Sequence, residues 1–150
     1  MKLLSMAYSC DIELEPLADR WYDIPEHFSI LLITDRGMYT VYLDPHFDFD
    51  GRSGGAAVDY IAPNLGTQAE TKSWLLHDIM YYDVGFTFSE ANDFLLTNLR
   101  KNCGYGWFKA HTIWAAVQLF GKSSFGTPKI ADREYPNIAR IHVSKPESRK

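Results

Sequence analysis

The pattern of greatest chemical content in this chain is a histidine followed by an aspartate, with a tyrosine four residues after the histidine: His77-Asp78-Ile79-Met80-Tyr81. On a helix His77 and Tyr81 share a face, while Asp78 is turned ~100° from His77 and addresses a different neighbour. Imidazole can take a proton from water near neutral pH, and an adjacent carboxylate can hold a divalent cation that polarises a carbonyl. The same residues equally suit a helix whose His and Tyr make structural hydrogen bonds.

Two further stretches could contribute polar groups. In Phe47-Asp48-Phe49-Asp50-Gly51-Arg52-Ser53 the Asp-Phe-Asp-Gly core suggests a calcium loop. Its first and last ligand positions would fall on His46 and Ala57, so the twelve-residue loop pattern fails. What remains is the Asp50 carboxylate beside Gly51, with the Ser53 hydroxyl close behind. Alternation puts Phe47 and Phe49 on one face and His46, Asp48 and Asp50 on the other, as a solvated strand end also would. In Glu90-Ala91-Asn92-Asp93 the acidic residues suit the first turn of a helix, where the dipole favours them. Asn92 acquires chemical meaning if it faces His77.

Taken together, these residues resemble an uncharacterised family common in tailed phages and prophages, over about Leu43 to Gly121. The pattern F-x-x-D-G-x-S stands here as Phe47, Asp50, Gly51 and Ser53, and H-D-x-x-Y as His77, Asp78 and Tyr81. The E-A-D pattern begins at Glu90 and Ala91, with Asn92 in its third place. A more distant resemblance is to the phospholipase A2 fold, whose catalytic helix also carries H-D-x-x-Y. It implies His77 as general base for water, Asp78 as calcium ligand, Tyr81 as support, and Asn92 at the orienting position on the next antiparallel helix. Tyr60-Ile61-Ala62-Pro63-Asn64 is similar to the Y-x-G-P-G calcium loop of parvoviral capsid phospholipases, with Ala62 and Asn64 in the glycine places.

The resemblance thus implies a phage-type, hydrolase-like domain with an ester or phospholipid as substrate and calcium as the divalent cation. The convergence of a histidine, two carboxylates and a flexible loop makes Asp78 and Asp50 the candidate metal ligands, with Ser53, Asp93 and Glu90 as surrounding polar groups and Gly51 and Tyr60 as loop residues. An amide at position 92 cannot stabilise an imidazolium as a carboxylate does. The corresponding change in a serine protease triad costs about four orders of magnitude in rate. Asp93 could stand in, but on a helix it points ~100° away. The rival expectation is a non-enzymatic phage accessory or structural protein that binds a virion or host protein. In that case Asp50 would hydrogen-bond loop N–H groups and His77 would tie two helices together.

The elements that must position these residues can be read from caps, turns and periodicity. Ser29–Thr34 and Met38–Leu43 flank Asp35-Arg36-Gly37, a three-residue hairpin loop, and Leu3–Tyr8 and Ile12–Leu14 are further strand-sized apolar runs. Thr67-Gln68-Ala69-Glu70 and Thr87-Phe88-Ser89-Glu90 are capping-box patterns. They predict helices over Gln68–Tyr82 and Ala91–Lys101, and a third runs from Trp107 to Phe120 before Gly121. The predicted fold class is α+β, with a small N-terminal antiparallel sheet packed on three helices. About 1–45 is mainly β, 46–66 loop, 67–121 helical, and 122–150 a basic tail with a possible short strand at Ile138–Val143. In the third helix Phe108, Ala115 and Leu119, with Ile113 and Val117 alongside, read as core. The other reading makes Tyr105, Trp107, Phe108, Trp114 and Phe120 an interfacial collar for lipid or a partner protein.

Composition bounds the remaining possibilities. A chain of 150 residues, 46% hydrophobic with 9 Phe, 9 Tyr and 4 Trp, is expected to fold as one soluble domain. Fifteen Lys and Arg against nineteen Asp and Glu give a net charge of −4, which argues against a dedicated nucleic-acid coat. Residues 122–150 reverse the sign, with 7 basic and 3 acidic side chains. Lys122, Lys129, Arg133 and Arg140 nevertheless accompany no phosphate-binding loop, so nucleic acid is not expected as a partner. No run approaches the ~18 apolar residues of a transmembrane segment. Two cysteines, Cys10 and Cys103, do not make a disulfide framework, which suggests a reducing compartment, and the phage resemblance implies host cytoplasm or association with a virion.

Overall fold

Alternating burial along two adjacent strands organises the β part of the fold. Phe28, Ile30, Leu32 and Thr34 turn inward from one strand, and Val41 and Leu43 from the next. The computed structural model describes residues 1–17, 21–49, 65–82, 84–126 and 140–144. In chain order these form β1 (Leu3–Tyr8), β2 (Glu15–Pro16), β3 (Tyr22–Ile24), β4 (Phe28–Thr34), β5 (Gly37–Leu43) and β6 (Phe47–Phe49). They continue with α1 (Gln68–Met80), α2 (Phe88–Lys101), α3 (Trp107–Phe120) and β7 (Ile141–Ser144). The α+β class is thus observed, with antiparallel strands followed by three helices.

The strands form two sheets. One has four strands in the order β1-β4-β5-β7, the other three in the order β2-β3-β6, and every pairing is antiparallel. The β4–β5 hairpin is tighter than the sequence suggested. Thr34 pairs with Gly37, whose φ of 130° only glycine adopts readily, and the Thr34 hydroxyl donates to the Gly37 carbonyl. Ile12–Leu14 is not a strand. The Ile12 backbone is held instead by the Gln68 side-chain amide, whose oxygen accepts from Ile12 N–H and whose nitrogen donates to Ile12 C=O, each at 2.9 Å.

Nor does Phe47–Phe49 belong to a solvated loop. It is the strand β6, paired with β3 in the three-stranded sheet, and Phe47, Asp48 and Phe49 are all buried. The short strand of the basic tail falls at Ile141–Ser144, with Ile141 opposite Leu43 and Ser144 opposite Thr40.

The helices follow their caps. The Thr67 hydroxyl accepts from the Glu70 N–H, and at Thr87 both halves of the capping box form, which starts α2 at Phe88, three residues before the expected Ala91. α1 stops at Met80 rather than Tyr82, with Tyr81 as its cap.

The three helices do not occupy equivalent positions. Every residue of α1 from Ser73 to Met80 is buried, so this helix is enclosed on all sides. α3 buries only Ala110, Ile113, Ala116 and Val117. Phe108 and Leu119, expected in the core, point outward, and Trp107 and Phe120 are exposed with them. Small residues on the inward face let α3 pack closely while its larger apolar side chains remain in solvent.

Candidate functional site

Enclosure of α1 brings the His-Asp-Tyr motif into the interior. His77 and Tyr81, one turn apart, both reach across to Asn92 on α2. His77 Nε2 lies 2.8 Å from Asn92 Oδ1, and the Tyr81 hydroxyl donates to the same oxygen at 2.9 Å. With Oδ1 as the shared acceptor, Nε2 is the donating nitrogen of the ring. The bonding pattern in this way assigns the amide oxygen, rather than its nitrogen, to the shared position. The other end of the Asn92 amide, Nδ2, is buried and has no hydrogen-bond partner among the described residues.

His77, Tyr81 and Asn92 are 1%, 1% and 0% exposed, and Asp78 beside them 1%. Aromatic rings complete the enclosure. Trp74 meets the imidazole edge-on at 5.7 Å, the Tyr81 ring lies 4.3 Å from it, and Phe88 and Phe125 pack on Tyr81. Burial pushes the Tyr81 phenol well above its ordinary pKa, only partly opposed by the bond to Asn92. Tyr81 is therefore a neutral donor throughout the physiological range.

The other expected site residues divide into three groups. Asp93 lies off the network, as helical spacing predicted, and accepts from Trp114 Nε1 at 3.0 Å, which ties α2 to α3. Glu90 caps its own helix by accepting from the Thr87 N–H at 3.0 Å. Asp50, Gly51, Ser53 and Tyr60 lie outside the described residues.

Asp78 is the one expected calcium ligand among the described residues. Among those residues, no group of three or more His, Cys, Asp or Glu is arranged to hold a metal ion.

Some features carried no local signal in the sequence. Gly121, at the end of α3, is pressed against the Tyr81 hydroxyl and the Val117 carbonyl, so that any side chain there would overlap them. On the outer sheet, Asp44 accepts from His142 Nε2 at 2.8 Å and faces His27 Nδ1 at 4.0 Å, at the edge of an open groove of about 510 Å³ that Phe28 and Tyr42 also line. His111, without an evident partner in the sequence, bonds the Trp107 carbonyl through Nδ1 and stacks on the Trp107 ring at 4.1 Å. Asp44 and His142 are 98 residues apart, and no spacing rule joins them.

No family model matches the chain, and no curated protein or solved structure matches it. No helix among the described residues is long and apolar enough to cross a membrane.

Proposed function

We propose that this protein acts by attachment to a virion or host surface, as a phage-type accessory or structural protein, and that its His-Asp-Tyr motif is retained as a folding device. The observation that carries this reading is the His77–Asn92–Tyr81 network, closed from solvent and centred on an amide. A general base must exchange its proton with water and be stabilised when charged. The amide oxygen offers no counter-charge to an imidazolium, and burial penalises that charge further. The same bonds hold α1 to α2 through two donors on one acceptor, which is what a structural tie requires.

Thermal unfolding of a His77→Ala protein, beside an ester and phospholipid hydrolysis panel with calcium supplied, tests this. The expected outcome is a loss of more than ~1 kcal/mol of stability and no hydrolysis by the parent. Hydrolysis by the parent that disappears in His77→Ala would overturn it.

A second reading, metal-assisted ester or phospholipid hydrolysis with His77 as general base, is favoured by one specific observation. Asn92 Oδ1 takes both donors that an orienting carboxylate would take, while its Nδ2 goes unmatched. On that reading Asn92→Asp creates or greatly raises hydrolytic activity. On the attachment reading the same variant remains inactive.

A further inference from the structure

We infer that the outward face of α3 docks on an anionic lipid surface. The inference rests on the reading of the protein as one that acts by attachment, and it names what the protein attaches to. The starting point is a helix that is apolar on both sides but covered on only one. Trp107, Phe108, Leu119 and Phe120 are 60%, 79%, 75% and 59% exposed, while Ala110, Ile113, Ala116 and Val117 fill the inward side. Eleven residues of helix bring Leu119 to within ~20° of Phe108 and ~16 Å along the axis, with Ala115 between them. Phe108, Ala115 and Leu119 therefore make one strip, and Trp107 and Phe120 flank it at the two ends of the helix, each turned about 100° to opposite sides. Apolar strips of this kind on a folded protein mark interaction sites.

Charge selects the occupant. Residues 94–126 contain four of the fifteen basic side chains, Arg100, Lys101, Lys109 and Lys122, and none of the nineteen acidic ones. All four cations are exposed. The rest of the chain holds 11 basic against 19 acidic side chains, a net of −8, so an anionic surface attracts this region and repels the remainder. A second copy meeting the first through this face would set cation against cation.

Hydrogen bonding separates a lipid surface from a protein. The Thr112 hydroxyl donates to the Phe108 carbonyl and His111 Nδ1 bonds the Trp107 carbonyl, both at 2.8 Å, and Trp114 Nε1 is held by Asp93. The polar groups interleaved with the apolar strip are thus largely committed to the protein itself, leaving the Gln118 amide and the second nitrogen of His111. A protein interface uses about one directional hydrogen bond per 100–200 Å². The boundary between headgroups and acyl chains requires none, and it accepts Trp, Phe and Leu with flanking Lys.

The test uses the full chain with vesicles of phosphatidylcholine alone and of phosphatidylcholine mixed with phosphatidylglycerol, read by co-sedimentation and tryptophan emission. Binding is expected to the mixed vesicles, with a blue-shifted emission and weakening as salt is raised. A Phe108→Ser, Leu119→Ser double variant should bind at least about tenfold more weakly at an unchanged melting temperature, since both side chains are exposed. Lys109→Glu with Lys122→Glu should remove the preference for phosphatidylglycerol. Failure of the parent to bind the mixed vesicles, or equal binding by the double serine variant, overturns the inference. So does concentration-dependent self-association without vesicle binding, which would assign the strip to a second copy. None of these outcomes touches the His77→Ala melting experiment, so the attachment reading and its lipid partner fail separately.

Discussion

Gly121 shows how a single residue controls the buried network. Its backbone is ordinary right-handed helix, with φ −81° and ψ −18°, so glycine is not needed there for conformational freedom. It is needed for space, because a Cβ would collide with the Tyr81 hydroxyl and the Val117 carbonyl. The hydroxyl cannot retreat without leaving Asn92, and the carbonyl is backbone. Gly121→Ala should therefore lower stability by about 1–3 kcal/mol, the usual cost of overpacking a filled interior. A melting temperature equal to the parent's would mean that α3 can back away from Tyr81 freely. The sequence placed Gly121 correctly as the end of a helix. The requirement for a missing side chain depends on a tyrosine 40 positions earlier.

At the scale of elements, the start of α2 is the clearest case of local encoding. Thr87 and Glu90 exchange bonds with each other's backbone N–H groups, as their types and spacing foretold. Thr87→Ala should cost about 1 kcal/mol. Glu90 carries a pH signature as well. Burial raises its pKa, but the Thr87 N–H and the amino group of Met1 more than offset this, and its carboxyl is held below the ordinary value. A lowered folded pKa means that the stabilisation is complete above the unfolded value, about 4.3, and is lost as pH falls through the lower folded value. Glu90→Gln should accordingly flatten the acid limb of a plot of melting temperature against pH and leave its shape above pH ~6 unchanged. An identical acid limb in the variant would remove Glu90 from the account. α1 and α3 show the opposite of local encoding. The helix bearing the charged and polar motif is enclosed from Ser73 to Met80, whereas the more apolar one is half exposed.

At the scale of the whole molecule, β7 ties the last described residues back to a strand in the first third of the chain. It pairs with β5 about a hundred positions earlier, His142 bonds Asp44, and Arg140 donates to the Pro45 carbonyl at 2.6 Å. A chain ending at Ala139 should lose about 2 kcal/mol or more in urea unfolding, from the burial of Ile141 alone. It should also leave the edge of β5 open to self-association. An unchanged midpoint and a monomeric truncated chain would show that β7 contributes nothing. The alternation that marked a strand near this position was real, but a strand this short identifies no partner. Its place on the four-stranded sheet required the fold.

The residues themselves determined the β4–β5 hairpin, the caps of α1 and α2, the extent of α3, and the α+β class, because turns, caps and apolar runs are written in neighbouring side chains. They also brought His77, Tyr81 and Asn92 into one proposal, since helical spacing puts the first two on a common face. Tertiary structure alone decided that this face is dry, that Phe47–Phe49 is a buried strand, and which side of α3 meets solvent. Burial is a property of what packs against an element, and an apolar-all-round helix contains no periodic signal to reveal its uncovered face.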